Sequence, residues 1–109
     1  MAVVVIPFQE QFREAMLAGR KTCTSRTKLY GRAGDTFEAF EATFKLTETH
    51  QCPLDFVTVM LFQHEGLRSP EEFKTVWCRL HPRKGWIPDL LVWVHHFTYT
   101  GPLPCLSLP

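Results

Sequence analysis

Between Gly19 and Arg26 the chain places three cations, Arg20, Lys21 and Arg26, beside three hydroxyls, Thr22, Thr24 and Ser25, within eight residues. Like charges this close repel one another, and a packed apolar core has no use for such a set. An anion, a polar base edge or a carbonyl does. The plainer alternative is a strand with ordinary surface lysine and threonine, and a K-T-x-T run by itself is more often structural than functional.

The basic character continues past this stretch. Arg20, Lys21, Arg26, Lys28 and Arg32 put five cations into thirteen residues with Tyr30 among them, and Arg83, Lys84 and Trp86 form a second basic and aromatic loop. Cations for phosphates and rings for stacking are what single-stranded RNA binding uses. A solvated basic face is the alternative. The formal net charge is only +1, so attraction for an anion must come from these local clusters rather than from a global field.

Other chemistries find little support. His95 and His96 are adjacent on an expected strand and point to opposite faces. His50, His64 and His81 share no ligand spacing with Cys23, Cys52, Cys78 or Cys105, so neither a metal nor any other cofactor is expected. Cys23, inside the basic stretch, reads as a small core residue, with a nucleophilic thiol as the alternative. The cysteines form no C-x-x-C pair and no dense framework, which fits reduced thiols and a cytoplasmic chain. The chain contains no Gly-rich phosphate loop, G-x-S-x-G or H-E-x-x-H.

The elements that must position these residues follow from periodicity. Ala2–Ile6 reads as a short buried strand, closed by Pro7. Phe8, Phe12, Ala15 and Met16 fall on one helical face, and Gly19 stops that helix. Thr22–Thr27 reads as a strand, so Lys21, off the face shared by Thr22, Thr24 and Arg26, is expected in an irregular turn after Gly19. Gly31 and Gly34 mark a turn, and Thr36–Thr47 alternates as a strand or hairpin with Phe40, Ala42, Phe44 and Leu46 inward. Thr47–Pro53 reads as a polar connection. Asp55 could cap a short helix ending near Glu65 and Gly66, although Val57-Thr58-Val59 also suits a strand. Ser69-Pro70-Glu71-Glu72 signals a helix carrying Phe73, Val76, Trp77 and Leu80 on its buried face. The aromatics at helical spacing, Phe8, Phe12, Phe73 and Trp77, read as core. Leu90–Thr98 is an expected strand, and residues 101–109 an extended Pro-rich tail.

With 109 residues, 45% hydrophobic and 21% charged, the chain fits one domain with a core at about residues 3–98. No apolar run approaches the ~20 residues of a membrane helix, and no membrane partner is expected. Strands and helices at irregular intervals suggest α+β with a small barrel.

At this point the residues resemble a family. Gly19-Arg20-Lys21-Thr22-x-Thr24-x-Arg26, then Gly34-Asp35, then Glu65-Gly66-Leu67 with Ser69-x-Glu71-Glu72-Phe73, and finally Val92-Trp93-Val94 leading to Phe97, resemble in order the signature of the ASCH domain, a branch of the PUA-like superfamily. The family often has Phe where this chain has Leu67, and Thr47–His64 does not align with it. The resemblance implies a small mixed β-barrel flanked by helices, with a cleft for RNA or a modified nucleoside. One small bacterial branch is an amidohydrolase acting on N4-acetylcytidine. Carried over by motif, Thr24 is then the nucleophile, Lys21 its base and Glu65 the acid. Arg20, Arg26, Lys28, Tyr30, Arg32, Arg83, Lys84 and Trp86 remain as substrate or RNA contacts. A lysine can serve as base only with its ammonium destabilised, which Arg20 and Arg26 would favour. Arg26 offers fixed planar donors for an oxyanion or a cytosine carbonyl. Glu65 could equally be a solvated carboxylate at a helix end, and Arg26 could pair with Asp35 or Glu65. A pocket without chemistry, serving a regulatory interaction, is a third possibility.

Overall fold

The computed structural model describes residues 1–103; residues 104–109, which carry most of the expected tail and Cys105, lie outside the described residues. Four strands, β1 (Cys23–Arg26), β2 (Thr36–Ala39), β3 (Ala42–Pro53) and β4 (Leu91–Pro102), form one curled antiparallel sheet in the order β1-β4-β3-β2. Three helices accompany it: α1 (Arg13–Leu17), entered through a 3-10 turn at Glu10–Phe12, α2 (Leu54–Met60) and α3 (Pro70–Leu80).

The sheet buries both faces. One carries Ile6, Met16, Phe37, Phe44, Leu46 and Phe97, and the other Cys23, Leu54, Val57, Phe73, Trp77, Val92 and Val94. Strand alternation divides β4 between them, Val92 and Val94 to one side and Phe97 to the other. β3 changes sides midway. A register shift between Leu46 and Glu48 inserts Thr47 as a bulge, so even-numbered residues face the first cluster before it and the second, through Cys52, after it.

This bulge corrects the reading of Thr47–Pro53, which is strand rather than connection. The chain turns into β3 through a two-residue hairpin in which Phe40 (φ 54°) and Glu41 (φ 62°) are both left-handed. Such turns favour Asn and Gly, so nothing in the residue types announces one here. At the start, Ala2–Ile6 makes only a single parallel bridge, Val3 to Thr36, with Val3 72% and Val5 82% exposed. Only Ile6 of this segment is buried, so it is not the expected buried strand. Gly101 and Pro102, read as tail, belong to β4. The segment after Pro53 is helical, with Pro53 rather than Asp55 at its cap.

The signal at Ser69 is borne out. Ser69 Oγ accepts from the Glu72 backbone N–H at 3.1 Å, Pro70 takes the first helical position, and Glu72 Oε1 accepts from the backbone N–H of Arg68 rather than of Ser69. The Phe8–Ala18 helix is also present but starts later, at Glu10, and gives way to Gly19 at φ 79°.

Candidate functional site

Lys21 stands outside β1, as the break after Gly19 implied, and forms an isolated bridge with Glu65. Gly66 allows this approach: at φ 88° a Cβ there would meet Lys21 Cβ at 2.9 Å. Both side chains are buried, 3% exposed for Lys21 and 7% for Glu65. Lys21 Nζ donates to Cys23 O at 2.9 Å, Glu65 O at 3.0 Å and Glu65 Oε1 at 3.1 Å. It also lies 4.6 Å from the Phe12 ring centroid. An ammonium has three protons, and all have an acceptor here.

The second carboxylate oxygen is also engaged. Ser25 Oγ donates to Glu65 Oε2 at 2.6 Å, and the Cys23 thiol lies 3.8 Å from the same atom. Burial first, and the Glu65 charge second, push the Cys23 thiol well above its ordinary range, so it is no nucleophile. Lys21, Cys23 and Ser25 thus meet one carboxylate. Ser25 was not singled out from the sequence, yet its odd-number parity with Lys21 and Cys23 was the signal that could have found it.

Thr24 and Arg26 form the other parity. Arg26 Nε donates to Thr24 Oγ1 at 2.9 Å and its Nη2 to Pro7 O at 2.6 Å, while the guanidinium carbon lies 4.9 Å from the Phe8 ring centroid and 5.5 Å from that of Tyr30. Arg26 pairs with neither Asp35 nor Glu65: among the described residues its guanidinium has no carboxylate within 4.0 Å. Burial lowers its affinity for its proton, although a guanidinium stays charged. Asp35 instead accepts from the backbone N–H groups of Ala2 and Arg32.

Beneath Thr24, His95 is completely buried. Its Nε2 accepts from the Tyr30 backbone N–H at 3.0 Å, which places the ring proton on Nδ1, 3.3 Å from the Thr24 carbonyl oxygen. Burial, foremost, holds its imidazolium below the ordinary value, so the ring is neutral. His95 ties the Tyr30 loop to β1.

These residues border one cavity of about 370 Å³, within the range of ligand sites. Its polar wall is Lys21, Thr24, Ser25, Arg26 and Glu65, and its apolar wall includes Phe8, Phe12, Phe73 and Trp77. Residues of both parities reach it because β1 is an edge strand. The four aromatics read as core therefore also face the cavity. His81 stacks on Trp77 at 3.9 Å between centroids, and the buried Trp77 Nε1–H has no acceptor among the described residues.

The remaining expected contacts are dispersed. Tyr30 lines the cavity, with Lys28 Nζ 4.8 Å from its ring centroid. Arg20 pairs with Glu14 on the surface and borders a separate hollow with Thr22, His64 and Arg68. The Arg32 side chain is exposed, as are Arg83 and Lys84 on the loop that leaves His81. Trp86 is half-buried against the second core cluster, with Lys74 Nζ 5.2 Å from its ring centroid.

No protein-family model matches the chain, and no curated protein matches it. Solved structures do share its fold. A protein of the DUF984 family from Enterococcus faecalis V583 is 19% identical, with a TM-score of 0.66 over 99% of this chain and 84% of that one. An ASCH domain from Lactobacillus crispatus JV V101 is 13% identical, with a TM-score of 0.66 over 92% and 79%. The hypothetical protein PH0355 is 17% identical, with a TM-score of 0.64 over 91% and 96%. The curled four-stranded sheet with its helices is an α+β fold like that of the ASCH domain.

Proposed function

We propose that this chain is an RNA- or nucleoside-binding domain whose cavity receives one heterocyclic base. The observation that carries this reading is Arg26: a half-buried guanidinium with no carboxylate within 4.0 Å among the described residues, held by Thr24 and Pro7 in the lining of a cavity with an aromatic wall. Its free donors suit a base carbonyl or a phosphate, and Phe8 and Tyr30 suit a ring face. The fold shared with an ASCH domain supports the same class. Lys21 then serves as a charged anchor that fixes Glu65, and Lys28, Arg83 and Lys84 as surface contacts to the backbone.

The test is fluorescence anisotropy with a labelled single-stranded RNA over a salt series. Arg26→Ala should weaken binding about tenfold, and Lys28→Ala should lower the salt slope by about one. Binding indifferent to both substitutions would remove this reading.

A second reading, hydrolysis of N4-acetylcytidine to cytidine and acetate, draws support from the 2.6 Å contact between Ser25 Oγ and Glu65 Oε2, a hydroxyl on a buried carboxylate at the cavity wall. Glu65 could hand a proton to the leaving amine. The Thr24 nucleophile with Lys21 as base is less favoured, because Thr24 Oγ1 is engaged by Arg26 and all Lys21 protons by oxygens. Incubation with N4-acetylcytidine decides: release of cytidine, lost in Glu65→Gln, supports the reading, and no turnover ends it for this substrate.

A further inference from the structure

Away from the cavity, the bulge at Thr47 turns the second half of β3 so that His50 faces the same side of the sheet as His96 of β4. In the register Glu48 is opposite His96 and His50 opposite Val94, so the two histidines are diagonal neighbours, a distance that ring side chains span. Their Nε2 atoms are 2.9 Å apart, and the half-buried rings lie 5.0 Å between centroids at 26°. Neither residue borders the cavity, and neither is used by the proposed function.

Two imidazole nitrogens this close hold either one proton or one cation between them. Metal–nitrogen bonds of ~2.0–2.1 Å meeting at a right angle put the nitrogens about 2.9 Å apart, whereas a tetrahedral angle needs about 3.4 Å. The observed separation is that of an N–H···N hydrogen bond in the metal-free protein, and it equals the spacing of adjacent corners of a square-planar or tetragonal site, the geometry of Cu²⁺ and Ni²⁺ with imidazole ligands, which a small tilt of the rings would complete. A Zn²⁺ site would need the rings to open by about 0.5 Å. We propose that His50 and His96 form a two-histidine chelate for a divalent transition-metal ion of the Cu²⁺ and Ni²⁺ class, which clamps β3 to β4. Water fills the other positions. Among the described residues no set of three or more His, Cys, Asp or Glu side chains could hold a metal, so this is a two-ligand site of modest affinity. The histidine spacing in the sequence hides it, because the pairing is created across strands by the bulge.

The experiment uses the full chain with its thiols kept reduced, titrated with Ni²⁺ by calorimetry and by thermal unfolding. One equivalent should bind and raise the unfolding temperature. His50→Gln and His96→Gln should each weaken binding at least tenfold and abolish the rise. No saturable binding, or binding that survives both substitutions, overturns the proposal. Should either variant fail to fold, proton NMR of the parent chain decides. Substoichiometric Ni²⁺ should broaden two histidine ring spin systems, assigned to His50 and His96. Broadening confined to other residues overturns it.

Discussion

Replacing Lys21 by Met tests the keystone of the cavity. The side chain keeps its length and loses its charge, leaving Glu65 Oε1 and two backbone carbonyls without the Nζ donor. Removing one partner of a buried pair costs about 3–5 kcal/mol. Glu65 Oε2 keeps its hydrogen bond from Ser25, so the lower end applies, and about 3 kcal/mol lowers the unfolding temperature of a domain this size by roughly 12 °C. The double change Lys21→Met with Glu65→Leu removes the stranded carboxylate. It should be more stable than Lys21→Met alone, with a residual cost from the orphaned Cys23 and Glu65 carbonyls and the Ser25 hydroxyl. Urea unfolding at neutral pH of the parent, both single variants and the double variant gives the coupling. A single-variant cost below about 1 kcal/mol, or double-variant costs that simply add, would refute the account of Lys21 and Glu65 as one buried unit.

Three further outcomes are expected. Gly66→Ala puts a methyl group 2.9 Å from Lys21 Cβ at a left-handed backbone position, and should cost more than about 1 kcal/mol in urea unfolding while weakening ligand binding. Glu41→Gly relieves a left-handed hairpin residue and should stabilise the fold by roughly 0.5–1 kcal/mol in the same assay. Stability should decline on mild acidification, because His95 is held below its ordinary 6.5 by burial and the unfolded chain takes up the proton first. That contribution is complete above pH 6.5 and is lost as pH falls towards the folded value. His96 shifts the same way, so His95→Gln should flatten part of the urea-midpoint slope between pH 7 and 5, and a parent midpoint unchanged over this range would count against it.

Much of the fold was legible because some segments carry their own instructions. Ser69 and Pro70 start α3 whatever surrounds them, and the alternation of Phe44 and Leu46 needs only one buried face. The bulge at Thr47 broke that alternation, and the second half of β3 then looked polar because Glu48 and Gln51 are exposed there. Ala2–Ile6 has the β-branched residues of a buried strand, but among the described residues no strand covers Val3 or Val5. In the site, the cation and hydroxyl stretch foretold Lys21, Thr24 and Arg26 at one cavity, and the ordered motifs pointed to Glu65. Ser25 was betrayed only by its shared parity with Lys21 and Cys23, whereas His95 and the aromatic wall were hidden, because their roles come from contacts across strands and helices that neither spacing nor residue type encodes.

The order β1-β4-β3-β2 has a temporal side. As the polypeptide leaves the ribosome, all of Lys21, Thr24, Arg26 and Glu65 has been synthesised by residue 65, yet the strand that zips onto β1 starts only at Leu91. A nascent chain stalled before that point carries all four side chains but lacks the strand that pairs with β1, so the cavity they border is completed only once β4 has been translated.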